Sequence, residues 1–179
     1  MDTLAHGLWG GLSGRALSNK TRRVSAIKAF LWGVFPDLFA FTIPIFFLLW
    51  NIFFGDMPLS SWPPPSPHVE PSQDLLPFSS LVNNLYNISH SFFVFGVIFG
   101  FVYVFTKRLP LEMFGWFLHI LFDIPTHSYQ FFPTPFLWPF SDFKVDGISW
   151  GVLWFMVLNY SVLLLFYAII RFREKNKKI

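Results

Sequence analysis

His119 and Asp123 stand four residues apart, and His127 follows four residues later. On a helix that spacing stacks side chains along one face, where imidazoles and a carboxylate can share a metal ion. The surrounding stretch is otherwise mostly Phe, Leu, Trp, Ile and Gly, and His6, Asp37 and His90 sit in the same kind of surroundings. An ionisable side chain in hydrocarbon is costly unless it is paired or bound, so inside a membrane segment it marks a functional position. Two imidazoles and two carboxylates from separate helices can hold a divalent ion and leave a position for water, as catalytic zinc sites do. Such an ion makes a nucleophile of water at neutral pH, and Asp37 or Asp123 can act as general base where it is not a ligand. The chain has no Cys, so any metal must be held by imidazole and carboxylate.

Each residue also has a purely structural use. An intramembrane imidazole can hydrogen-bond a hydroxyl or a carbonyl across a helix interface. Asp37, directly after Pro36, can be the N-cap of a helix restarting at Leu38. Asp123 is harder to place structurally, because its neighbours Leu121, Phe122 and Ile124 offer it no basic partner. His68 lies in a proline-rich stretch and reads as solvated, and Asp142 and Asp146 read as turn or cap residues.

The elements that must position these side chains follow from composition and charge. With 54% apolar, 22% aromatic and 13% charged residues in 179, the chain is too apolar for an ordinary soluble domain and reads as one integral membrane domain over 1–179. A short glycine-rich segment over 2–17 carries Gly7-x3-Gly11 and Gly10-x3-Gly14, spacings that let another helix approach closely. Asp2, His6, Gly10 and Gly14 share a stripe, and Asp2 could orient His6. Being short, this segment either inserts or lies in the interface.

Four long apolar segments follow, over 29–54, 88–106, 111 to about 123, and 149–170. The expected fold is therefore all-α, with four long transmembrane helices and a short N-terminal helix. Residues 55–87 read as a Pro-rich extracytoplasmic loop and 171–179 as a basic cytoplasmic tail. Twelve of the 13 Lys and Arg residues fall in three clusters on one predicted side, Lys144 being the exception, which places the C-terminus in the cytoplasm. Such charge is topological and gives no reason to expect a nucleic-acid partner. Counting 1.5 Å per residue from the basic turns puts His6 and Asp37 roughly 13 Å, His119 roughly 16 Å, Asp123 roughly 22 Å and His90 roughly 25 Å into the membrane. The candidates converge on its middle and outer half.

The segments MDTLAHGLWGG, VFPDL, ISHSF, HILFDIPTHS and LWPFSD, in this order, resemble the LexA-regulated, membrane-bound metal-dependent hydrolase family of prokaryotic inner membranes. That family is similar in turn to zinc-dependent phospholipase C and the S1/P1 nucleases. The resemblance implies His6, Asp37, His90, His119 and Asp123 as metal ligands, with His127 a further candidate, zinc as the ion, and hydrolysis of a phosphoester on a membrane lipid or lipid-linked substrate. The chain departs from the family where a His-Arg pair usually precedes its second motif, here Leu85-Tyr86-Asn87-Ile88-Ser89-His90-Ser91. It also lacks the later His-x3-Glu pair of the phospholipases, its only Glu beyond His127 being Glu174, so a trinuclear site is not expected. The alternative function is a non-catalytic membrane protein that binds or transports a metal ion or proton through the same residues.

Overall fold

A computed structural model describes residues 1–56 and 78–176. His68, Glu70, Asp74, most of the Pro-rich loop and Lys177 and Lys178 of the tail lie outside the described residues. The described residues form helices α1 (Thr3–Leu17), α2 (Ala26–Phe54), α3 (Ser79–Ser89), α4 (Phe92–Thr106), α5 (Phe114–Thr126) and α6 (Leu153–Asn176), with a single 3-10 turn at Leu111–Met113. No strand occurs among them.

Two of these helices, α2 with 29 residues and α6 with 24, are long and apolar enough to cross a bilayer. A third crossing is possible if α3 and α4, bent by 58° at their junction, act as one. The described residues therefore do not support four long spans. α4 has 15 residues and α5 only 13, shorter than the ~20 a straight crossing requires. The apolar run 88–106 is interrupted at His90-Ser91, where Ser91 caps a new helix by accepting from the N–H groups of Phe93 at 3.1 Å and Val94 at 3.3 Å. Residues 79–87, read above as part of the loop, are helical because Val82 and Tyr86 bury one face against Ala40 of α2 and Phe132. The tail is helical as far as Asn176.

Much of the remaining surface is apolar: Phe53, Phe54, Phe101, Phe105, Leu164 and Phe172 are all exposed, and α4 buries none of its residues. Such an exterior suits lipid and not water.

α1, α2 and α5 form the packed centre. Gly10, Gly33 and Gly115 bring the three backbones into contact: a Cβ on Gly10 or on Gly115 would strike the carbonyl oxygen of Ala29, and one on Gly33 would strike that of His6. α2 and α5 run against α1, which puts the start of α1 beside the end of α5. The segment after α5 folds back over that end. Gly147, Ile148 and Trp150 donate backbone N–H groups to the carbonyls of His127 at 2.8 Å, Pro125 at 2.9 Å and Thr126 at 3.1 Å, satisfying the last turn of the helix. Asp146 accepts from the Tyr129 N–H at 2.9 Å, a contact across 17 residues that ties the returning segment to the chain just after α5. α6 lies against α1 on the outside, held by Trp9 Nε1–H donating to Asn159 Oδ1 at 2.9 Å and Tyr160 Oη–H donating to Asp2 Oδ1 at 2.9 Å.

Candidate metal centre

Each glycine at the three-helix contact stands one turn from a candidate ligand, Gly10 from His6, Gly33 from Asp37 and Gly115 from His119. Backbone contact one turn away therefore aims these side chains at a common point. Asp123 lies one turn further along α5, and His90 enters from the junction of α3 and α4. α2 passes through Pro36 and Pro44 without ending. Asp37 is thus a mid-helix residue and not an N-cap, since its backbone stays helical on both sides.

Asp37, His90, His119 and Asp123 form a buried group whose potential ligand atoms lie within 4.8 Å of one another. His90 Nε2 is 3.0 Å from His119 Nε2. Asp123 Oδ2 lies 3.1 Å from His119 Nε2 and 3.4 Å from His90 Nε2, while Asp37 Oδ1 lies 3.5 Å and 3.7 Å from the same atoms.

A backbone carbonyl orients the other edge of each ring. His119 Nδ1 is 2.7 Å from the Gly33 carbonyl oxygen and His90 Nδ1 is 3.1 Å from that of Tyr86. A carbonyl only accepts, so both rings carry a proton on Nδ1, which leaves each Nε2 as the edge turned towards the carboxylates. Two imidazole Nε2 atoms and two carboxylate oxygens then face one another in a dry interior, a group that could hold a metal ion. Asp123 Oδ2 has no hydrogen-bond partner despite full burial. At zinc bond lengths and tetrahedral angles, neighbouring ligand atoms stand roughly 3.3 Å apart, close to the 3.0–3.7 Å of the His–His and His–Asp pairs here. The donor set and its spacing fit a divalent ion, and the carbonyls of Gly33 and Tyr86 supply the outer hydrogen bonds that orient imidazole ligands. Tyr86 stacks on His90 with ring centres 3.7 Å apart, and Trp116 Nε1–H donates to the Ser89 carbonyl at 2.6 Å, fixing the backbone from which His90 projects.

Asp123 also faces a second way. Its Oδ1 is 2.8 Å from His6 Nε2 and 3.3 Å from His127 Nε2, and it accepts from the Met1 α-ammonium at 2.7 Å, which donates to Thr126 Oγ1 as well at 2.9 Å. All six residues singled out in the sequence thus meet at one place, four in the first group and His6 and His127 across the central carboxylate. His6 lies flat on His119, ring centres 3.7 Å apart. Asp2 does not orient His6: its Oδ1 is taken by the Ala5 N–H at 2.9 Å and the Tyr160 hydroxyl, as a helix N-cap.

Sequence reasoning missed Thr3, whose hydroxyl donates to Asp37 Oδ2 at 2.6 Å, as well as Tyr86, Trp116 and the glycines of α2 and α5. The i, i+4 relations Tyr86–His90, Gly33–Asp37 and Gly115–His119 were present as signals. No family model matches the chain, and comparison with curated proteins and with solved structures gives no match.

Proposed function

We propose that this protein is a membrane-embedded, metal-dependent hydrolase that cleaves a phosphoester bond of a lipid or lipid-linked substrate, with zinc as the ion. The observation that carries the reading is the buried set of two imidazole nitrogens and two carboxylate oxygens that lie within 4.8 Å of one another. Bound there, a divalent ion supplies Lewis-acid chemistry, polarising a phosphoryl oxygen and acidifying water.

The chain's own residues divide the remaining work. His90 and His119 are oriented by their Nδ1 contacts to backbone carbonyls, with Nε2 turned towards the carboxylates. Asp123 is fully buried and uses both oxygens in holding the centre together. Asp37 is the member of the four with measurable exposure, 9%, so a substrate and its water approach from its side. With Oδ2 steadied by Thr3, Asp37 is the carboxylate placed to accept a proton. Leu4 and Leu38, chain neighbours of Thr3 and Asp37, are exposed, an apolar approach suited to a lipid. The order of sequence motifs resembling the membrane hydrolase family supports the same reading, as does the inner-membrane orientation implied by the basic clusters.

One observation favours the alternative of non-catalytic metal or proton binding or transport. No Lys or Arg contact with the group occurs among the described residues, and the nearby Met1 ammonium is already engaged by Asp123 and Thr126. A developing phosphoryl charge would rest on the ion alone.

The test is metal analysis of the purified full chain, prepared without chelator, beside His119→Ala and Asp123→Ala, followed by assay on phosphomonoester and phosphodiester lipids. The hydrolase reading expects stoichiometric metal in the wild type, loss in both variants, and turnover. Wild type without metal overturns it, and metal without turnover transfers support to the alternative.

A further inference from the structure

The opposite end of α1 carries a second concentration of polar groups that the metal centre does not use. α1 and α6 run side by side to the basic end of the bundle, and the turn over 18–24 folds back beside them. Together they border an open cavity of about 920 Å³ whose wall includes Arg15, Lys20 and Arg173 with Ser18 and Thr21. Glu174 also borders it, with its Oε2 3.5 Å from Arg171 Nη1.

The guanidinium of Arg15 lies 5.5 Å over the ring of Tyr167, and its Nη1 is buried without a hydrogen-bond partner. A buried, charged N–H is costly to hold unless an acceptor reaches it. The planar fork of a guanidinium matches the paired oxygens of a phosphate.

Arg15 and Tyr167 also close one end of an apolar groove of about 280 Å³ between α1, α2 and α6, walled by Leu8, Leu12, Ile27 and Phe30. Gly11, with no side chain, leaves that groove open. The basic cavity and the groove therefore lie on either side of one arginine, Arg15, which lines both. An inorganic anion has a use for the first alone, whereas a phospholipid has a use for both.

We propose that this end of the bundle is a binding site for an anionic phospholipid, its phosphate against Arg15, its headgroup beside Lys20 and Arg173, and an acyl chain in the groove. Basic pockets between membrane helices recognise anionic headgroups in this way. The site is independent of the hydrolase reading, since Arg15 is nine residues from His6, roughly 13 Å along the helix axis.

The experiment uses the full chain in neutral detergent, with phosphatidylglycerol, phosphatidylcholine and inorganic phosphate as probes and native mass spectrometry as readout. Wild type should hold phosphatidylglycerol at least tenfold more tightly than phosphatidylcholine, and inorganic phosphate at equal concentration should not displace it. The double variant Lys20→Ala/Arg173→Ala should lose the preference. Gly11→Leu, which fills the groove, should weaken phosphatidylglycerol at least tenfold. Gly11→Ala, whose added Cβ comes no nearer than 3.5 Å to Ala26 O, should fold and bind as wild type. Equal binding of the two lipids overturns the proposal, as does retention of the preference by the double variant. Displacement by phosphate overturns the lipid assignment and makes this a free-phosphate site. The wild-type arms decide the matter even if a variant fails to fold.

Discussion

Replacing Gly115 by Ala adds one methyl group and should separate the metal centre from the helix packing that holds it. The new Cβ would strike the carbonyl oxygen of Ala29 and stand 2.8 Å from the Gly33 N, both backbone atoms that cannot swing aside. To restore ordinary van der Waals separation, α5 must withdraw from α2 by on the order of 1 Å. His119 rides on α5 and its Nδ1–H bond to Gly33 O crosses this very interface at 2.7 Å, so the same movement stretches that bond beyond useful length. Overpacking of this kind costs about 1–3 kcal/mol. In a chain of this size that lowers the midpoint of thermal unfolding by roughly 2–12 °C. Loss of the outer hydrogen bond on a ligating imidazole should weaken metal binding by about 10–100-fold.

The control is Gly96→Ala on α4, where the added Cβ meets nothing within 4 Å. There the better helix former should leave metal binding unchanged and add about 0.5–1 kcal/mol of stability. Thermal unfolding in detergent and competitive chelator titration measure the two effects. If Gly115→Ala and Gly96→Ala bind metal equally well, the claim that the three-glycine contact positions the ligands is refuted.

Trp116→Phe should lower stability by about 1–3 kcal/mol, because the Ser89 carbonyl loses its buried donor, and equilibrium unfolding reads the change. The same variant should loosen metal binding through the neighbouring His90. His127→Ala should reduce metal affinity less than His90→Ala does in the same titration, since His127 faces Asp123 from the side away from the four-residue group. Gly147→Ala should push the returning segment off the end of α5, because its Cβ would lie 2.7 Å from His127 O. Faster amide exchange at Gly147, Ile148 and Trp150 would show it, and unchanged protection would argue that the segment is held by other contacts.

The meeting of six polar side chains could be read from sequence because hydrocarbon tolerates so few of them. Wherever an imidazole or carboxylate interrupts a run of Phe and Leu, it must find a partner, and depth counting brought the candidates towards one layer. The number of spans could not be read the same way. Apolar content alone does not tell a helix crossing lipid by itself from a short one leaning on neighbours, as α5 does. His90 shows the difficulty at a single residue. It lies inside a continuous apolar run, yet Ser91 offers a cap that competes with continuing the helix, and the break at this point swings the imidazole inward. Asp37 shows the reverse, since Pro36 announces a break that α2 does not make. Tertiary contacts that no local pattern encodes, such as Thr3 on Asp37, complete the centre.

The dimensions of α1 and α5 bear on how the molecule is made. With 15 and 13 residues they are roughly 22 and 20 Å long, against a hydrocarbon layer of roughly 30 Å. Neither is an independently stable insertion unit, and each gains its place by laying a glycine against α2. α2 and α6 can enter the bilayer first as autonomous helices, while the helices bearing His6, His119 and Asp123 settle only when the bundle closes. Assembly of the ligand set is then the last step of biogenesis, and substitutions at Gly10, Gly33 or Gly115 would surface in cells first as a lowered yield of folded protein.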